Sequence, residues 1–331
     1  MSNTKKLFGR NAREFGLLAI IVVLAVLANL RSTGNFLTLK NLGDMFSETS
    51  MLLIAAMGMM MVIITGGIDL SVGSTMALAG MVSTTILRNN PEMNPLLVVL
   101  IAMGVGFLAG LVNGFLVSYL NILPIIATLG TMNVYRGVTY LVSGGSWNLQ
   151  QNMSPGFLSI ATGRFLGISY MLWIAVVVIL VVFYFMSFTR KGRQIFAVGN
   201  SIESARISGI PVRRVLLIPY SVLGMLAGLA GVLYVCKYAA AQGETALGYE
   251  MNVIASCVLG GVSVVGGVGK VQGVVMGAIL LGMLNNALPL MQISPFWQEA
   301  LRGVIILASI LVNALVARRA DRKALERRAV A

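Results

Sequence analysis

Few residues in this 331-residue chain have the chemistry to act on another molecule. It holds eleven Asp and Glu, two cysteines and no histidine. Without His, the commonest metal ligand, a zinc site is not expected. Cys236 and Cys257 are too few for a disulfide framework and read as small apolar packing residues. Paired carboxylates and a Ser/His/Asp set are also missing, so the chain does not read as an enzyme. A nucleotide-binding Gly-x-x-x-x-Gly-Lys-Ser/Thr loop is not formed: Gly269-Lys270 is followed by Val271, and Val264 stands where the first glycine is needed. No cofactor is expected on this chain, and any ATP it uses would be bound by another subunit.

What remains is polar chemistry set inside apolar sequence. Asp69 lies in Thr65-Gly66-Gly67-Ile68-Asp69-Leu70-Ser71, between two apolar runs, where a buried charge must find a partner or water. Asp69 and Ser71 are therefore candidates for a solute pathway. The same residues also fit a structural role, with Gly66-Gly67 ending one helix and Asp69 or Ser71 capping the next. Asn113, Thr128, Asn133 and Asn285 offer amides and hydroxyls within apolar runs. They suit contacts to a polar solute, or hydrogen bonds between helices. Leu259 to Gly269 carries five glycines. Each interior glycine costs a helix about 1 kcal/mol relative to Ala, so this stretch reads as a broken or re-entrant helix, or as a tight turn between spans.

The elements that hold these residues are read from composition. Hydrophobic residues make up 57% of the chain and charged ones 11%, where a soluble domain carries roughly a quarter charged. Mean hydropathy is +0.89. This places the chain in a lipid bilayer as an all-α, polytopic transmembrane helix bundle. About ten apolar stretches are long enough to span: 15–31, 50–66, 68–87, 96–119, 123–142, 165–186, 214–236, 250–268, 271–291 and 297–316. Glycines spaced four apart, such as Gly106, Gly110 and Gly114, and Gly224 and Gly228, mark faces where helices approach closely.

The net charge of +13 is not spread evenly. Sixteen of the 24 Lys and Arg fall in 5–13, 190–214 and 318–328, each flanking apolar runs. Cytoplasmic loops carry such an excess, and ten crossings put all three clusters on that side. Both termini are then cytoplasmic, and nucleic acid is not the partner the charge implies. The whole of 1–331 reads as one transmembrane domain, with a cytoplasmic amino terminus (1–14), a cytoplasmic loop (187–213) and a cytoplasmic basic tail (317–331).

The 187–213 loop carries the clearest motif. Ser201 followed by Glu203, Ser204, Ala205 and Arg206 reads as a short capped helix, stopped by Gly209 and Pro211. Glu203-Ser204-Ala205-x-x-x-Gly209 resembles the Glu-Ala-Ala-x-x-x-Gly loop of bacterial ABC importer permeases, departing by Ser204 for Ala. With Gly67-Ile68-Asp69-Leu70-Ser71-Val72-Gly73-Ser74, Ile126-Ala127-Thr128-Leu129-Gly130, Arg136-Gly137 and Val258-Leu259-Gly260-Gly261, the chain over 15–316 is similar to the ribose-type monosaccharide permeases. These include ribose, xylose, arabinose, galactose and autoinducer-2 permeases.

The resemblance implies a multi-pass permease subunit in the bacterial cytoplasmic (inner) membrane. It implies a second permease subunit, identical or paralogous, ATP-binding-cassette ATPase subunits, and a periplasmic or lipid-anchored sugar-binding protein. It assigns Glu203, Ser204, Ala205, Arg206 and Gly209 to an ATPase-coupling loop. A self-contained secondary transporter is the competing reading, and it would call for proton- or ion-coupling acids in mid-span. Asp69 is the one such acid with standing.

Overall fold

A computed structural model of the chain describes residues 12–294 and, beyond them, 296–298, 300–301, 303–304 and 307. The basic tail 317–331, residues 1–11 and much of the expected span 297–316 lie outside the described residues.

The fold is all-α. Five helices come first: α1 (Ala12–Arg31), α2 (Leu39–Ile64), α3 (Val72–Asn89), α4 (Pro95–Ser118) and α5 (Pro124–Ser143). A connection then carries β1 (Asn148–Leu149), the short helix α6 (Pro155–Thr162) and the hairpin β2 (Arg164–Phe165) and β3 (Ile168–Ser169). After it run α7 (Tyr170–Phe188), α8 (Arg190–Asn200), α9 (Ile202–Ile207), α10 (Val212–Tyr238), β4 (Ala240–Ala241), α11 (Tyr249–Leu259) and α12 (Val271–Leu290). Helix starts follow local chemistry. Pro95, Pro124 and Pro155 occupy the first helical position, where a missing N–H costs nothing. The side chains of Thr38, Asn94, Ser154 and Ser169 accept hydrogen bonds from the first turns of α2, α4, α6 and α7.

Among the described residues five helices, α2, α4, α7, α10 and α12, are long and apolar enough to cross a membrane. Burial separates them. Every residue from Thr49 to Thr65 is buried, the mark of a helix surrounded by others. By contrast, Leu97, Leu100, Leu108 and Val112 on α4 and Val177, Leu180, Val181 and Tyr184 on α7 face outward. An apolar surface of this extent suits hydrocarbon, not water.

The four-spaced glycines lie at helix contacts. A Cβ on Gly106 would overlap the Gly224 carbonyl, and one on Gly228 would sit 2.5 Å from the Ala102 carbonyl. The α4 and α10 backbones therefore touch, which a side chain at these positions would prevent. Gly277 packs on Ser256 in the same manner, joining α12 to α11.

Two expected spans take a different form. Only Tyr249–Leu259 of the stretch 250–268 is helical, and a helix of 11 residues rises about 16 Å, half the hydrocarbon thickness. The chain then runs irregularly through Gly260 to Lys270, with φ of +95° at Gly261 and +101° at Gly266, conformations that a Cβ disfavours. The second expected span begins earlier than its apolar run, because the Thr38 cap starts α2 at Leu39.

Candidate functional site

The break between α2 and α3 positions Asp69. After Ile64 the chain turns at Gly66, φ +80°, and α3 resumes at Val72. Asp69, 2% exposed, accepts from the Ser71 N–H at 2.8 Å and from the Ser71 hydroxyl at 2.7 Å on one carboxylate oxygen. On the other it accepts from the Asn113 amide of α4 at 3.0 Å. The Asn113 amide also donates to Ser71 Oγ at 2.7 Å. Tyr135 of α5 donates to the Ala109 carbonyl at 2.8 Å and lies 3.4 Å from Asn113 Oδ1. Thr128 Oγ1 accepts from the Leu70 N–H at 3.1 Å and donates to the Pro124 carbonyl.

Four of the six pathway candidates, Asp69, Ser71, Asn113 and Thr128, thus meet in one network that ties the α2–α3 break to α4 and α5. Three donors meet the buried carboxylate, two on one oxygen and one on the other, so neither oxygen is left without a partner. Asp69 caps the start of α3 through the Ser71 N–H, while the Ser71 side chain makes no cap bond of its own.

Asn133 and Asn285 lie elsewhere. Asn133 is on the exposed face of α5, its amide bonded to the Leu129 carbonyl of its own helix at 2.9 Å. Asn285 on α12 lines a cavity of about 240 Å³ with Glu48, Thr49, Tyr238, Tyr249 and Asn252. Its Oδ1 is buried and has no hydrogen-bond partner among the described residues. A carboxylate, amides, a hydroxyl and two phenol rings around one small space suit a neutral, hydroxyl-bearing solute.

A second charged centre holds the segment that enters α11. Arg136 of α5 donates through Nη1 to the carbonyls of Gly243 at 2.8 Å and Thr245 at 2.7 Å. Glu250, at the start of α11 and 8% exposed, reaches the Gly73 backbone of α3, where glycine alone leaves room for its carboxylate. Irregular backbone inside a helix bundle needs such internal partners for its carbonyls.

The two glycine-rich breaks meet each other and α8. The Gly267 N–H donates to the Ile64 carbonyl at 2.9 Å. A Cβ at Gly199 would overlap that same carbonyl and come within 2.8 Å of Gly267 N. α8 thus seats on both breaks through one glycine. The following helix, α9, is capped at both ends. Ser201 Oγ accepts from the Ser204 N–H at 3.2 Å. Gly209, φ +75°, closes the C-terminus with N–H bonds from Gly209 to the Arg206 carbonyl and from Ile210 to the Ala205 carbonyl, each 3.0 Å. Ala205 is buried, while Glu203 and Arg206 pair at 3.6 Å on the exposed side. Among the described residues no group of three or more His, Cys, Asp or Glu is placed to hold a metal.

A family model described as "Branched-chain amino acid transport system / permease component" matches residues 41–310. The chain belongs to this permease family. The ribose import permease protein RbsC of Escherichia coli K12 is 39% identical to the permease over 304 residues, 90% of this chain and 92% of that one. The L-arabinose transport system permease protein AraH of the same organism is 36% identical over 316 residues, 92% of each chain. Its galactose/methyl galactoside import permease protein MglC is 33% identical over 330 residues, 94% and 97% respectively. No solved structure matches the permease.

Sequence reasoning missed the anchoring role of Arg136 and the places of Glu48, Tyr135 and Glu250. An arginine twelve residues into an apolar helix was itself a legible signal, since intramembrane charges are rarely idle. Tyr135 and Glu250 carried none, because their partners are remote in sequence.

Proposed function

We propose that this permease is the membrane-spanning subunit of an ATP-binding-cassette importer that carries a monosaccharide or sugar-like solute across the bacterial cytoplasmic (inner) membrane. The solute class rests on the relatives. The family description names amino acids, but RbsC, AraH and MglC are named for sugars and align over nearly the whole chain at 33–39% identity. ATP enters through separate ATPase subunits, and the solute through a periplasmic or lipid-anchored binding protein. A second permease subunit completes the pathway. Ten crossings with both termini cytoplasmic fit the charge clusters, with α11 and the irregular backbone after it as one of them.

The observation that carries the ATP-driven reading is α9. Its buried Ala205 seats it on the bundle, while Ile207 is 81% and Ile202 45% exposed. A doubly capped helix that displays isoleucines away from its own core is built to sit in a groove on another protein. Glu203, Ser204, Ala205, Arg206 and Gly209 form this coupling element. Its movement would reach the bundle through α8, whose Gly199 rests on the Ile64 carbonyl and Gly267, so that ATPase states bias the packing of both breaks. Asp69, Ser71, Asn113 and Thr128 brace the first break beside the solute route. Asn133 and the Asn285 cavity offer polar contacts along it. A secondary transporter would need an acid free to exchange a proton, and Asp69 is occupied by three donors.

The test is co-purification in mild detergent from the native membrane, followed by sugar uptake. An ATPase should accompany the chain and be lost when 200–210 is replaced by a Gly/Ser linker. A chain that purifies alone under several gentle conditions, with uptake driven by an ion gradient, would overturn the reading.

A further inference from the structure

The junction of α7, α8 and α12 encloses a second cavity, of about 340 Å³. One wall is apolar, formed by Phe183, Met186 and Phe196; the mouth is polar and basic, formed by Arg193, Lys270 and Gln272. Arg193, Lys270 and Gln272 are all exposed. No carboxylate is among the described residues that line the space. Arg193 Nη1 makes one long bond, 3.4 Å to the Phe188 carbonyl, which engages one of the five guanidinium N–H groups.

The apolar wall does not stop at the cavity. It continues onto the outward face of α7, where Val177, Leu180, Val181 and Tyr184 are exposed. Tyr184 stacks on Phe188 at the end of that helix, ring centroids 5.7 Å apart, an aromatic placement suited to the membrane–water interface. Two cations at the end of an apolar channel, at the depth where a helix leaves the membrane, match a molecule with an anionic head and a hydrocarbon tail. A basic mouth and an apolar wall side by side suit such an amphiphile better than a neutral sugar or a free anion.

We propose that this cavity binds an anionic phospholipid, with the phosphodiester between Arg193 and Lys270 and an acyl chain along α7. The bound lipid bridges α8, which carries the coupling helix, to the start of α12. The inference does not depend on which solute is carried, only on the chain lying in a bilayer.

The test uses the full-length permease, purified in neutral detergent. Dioleoyl phosphatidylglycerol and dioleoyl phosphatidylcholine are titrated separately, and retained lipid is counted by native mass spectrometry. Wild type should retain phosphatidylglycerol preferentially. Arg193→Gln and Lys270→Gln should each lower that retention about fivefold, and the double variant roughly 25-fold, the effect of one basic residue near an anionic surface taken twice. Lys40→Gln with Arg164→Gln removes the same net charge elsewhere and should change nothing. Equal retention of the two lipids by wild type, or an unchanged preference in both single variants, would overturn the proposal. So would displacement of the lipid by millimolar inorganic phosphate, which would point to a site for free anions.

Discussion

Gly224 is one of the positions where the α4 and α10 backbones touch. A Cβ added there overlaps the Gly106 carbonyl and lies 2.7 Å from both Cα and N of Gly110. All three are backbone atoms, so no side chain can swing aside. Ordinary contact begins near 3.4 Å, so Gly224→Ala must move the helices apart by about 0.7 Å or more. A gap of ~0.5–1 Å forfeits a quarter to a half of each affected dispersion contact, and overpacking of this kind costs about 1–3 kcal/mol. Alanine also gains about 1 kcal/mol over glycine in a helix, which the measurement must remove. Gly130→Ala supplies the reference, because nothing lies within 4 Å of its Cβ. In unfolding titrations of the purified protein, Gly224→Ala should therefore be less stable than Gly130→Ala by about 1–3 kcal/mol. Equal stability of the two variants would show that α4 and α10 do not touch along their glycines, and the central packing described above would be wrong.

Asn113→Ala removes the amide that holds Asp69 and Ser71 together and should destabilise the fold by about 1.5–3 kcal/mol, the usual worth of a hydrogen bond to a charged group; a change under about 0.5 kcal/mol would mean that the Asn113 amide does not hold Asp69. The buried Tyr220 hydroxyl has no hydrogen-bond partner among the described residues, so Tyr220→Phe should leave stability unchanged or raise it, as the same unfolding titration reads. Gly209→Arg strains a left-handed backbone position by about 1–2 kcal/mol without a steric clash, since its Cβ meets open space. The protein should stay in the membrane but lose solute uptake, and normal uptake at normal expression would sink the coupling role of α9. Gly199→Ala wedges α8 away from Ile64 and Gly267, and in the assembled importer ATP hydrolysis should persist while sugar uptake falls.

Much of the site was legible where the chemistry is local. The cap and stop signals of α9 lie within ten residues, from Ser201 to Ile210, and local hydrogen bonds satisfy them. Gly66-Gly67 and Gly260 to Gly267 read as breaks because glycine weakens a helix wherever it stands. Asp69 read equally as a pathway residue or a cap. Deciding its partners required Asn113, 44 residues away, and a contact between α3 and α4 that no local pattern states. The same limit separated Asn133 and Asn285 from the network: an asparagine in an apolar run looks alike whether it faces a neighbour, a cavity or the outside.

By itself the sequence determined that this is a membrane-embedded helical protein, where its chain breaks, and which short segment between two longer helices is a capped helix of its own. Those properties follow from transfer free energy, backbone freedom and capping, each decided by residues near one another in the chain. Tertiary structure alone decided that the two breaks and α8 join at Gly199, that Arg136 holds the approach to α11, and that 250–268 is a short helix followed by irregular backbone. Each of these rests on hydrogen bonds or van der Waals contacts between segments far apart in sequence, whose meeting depends on how the whole bundle packs.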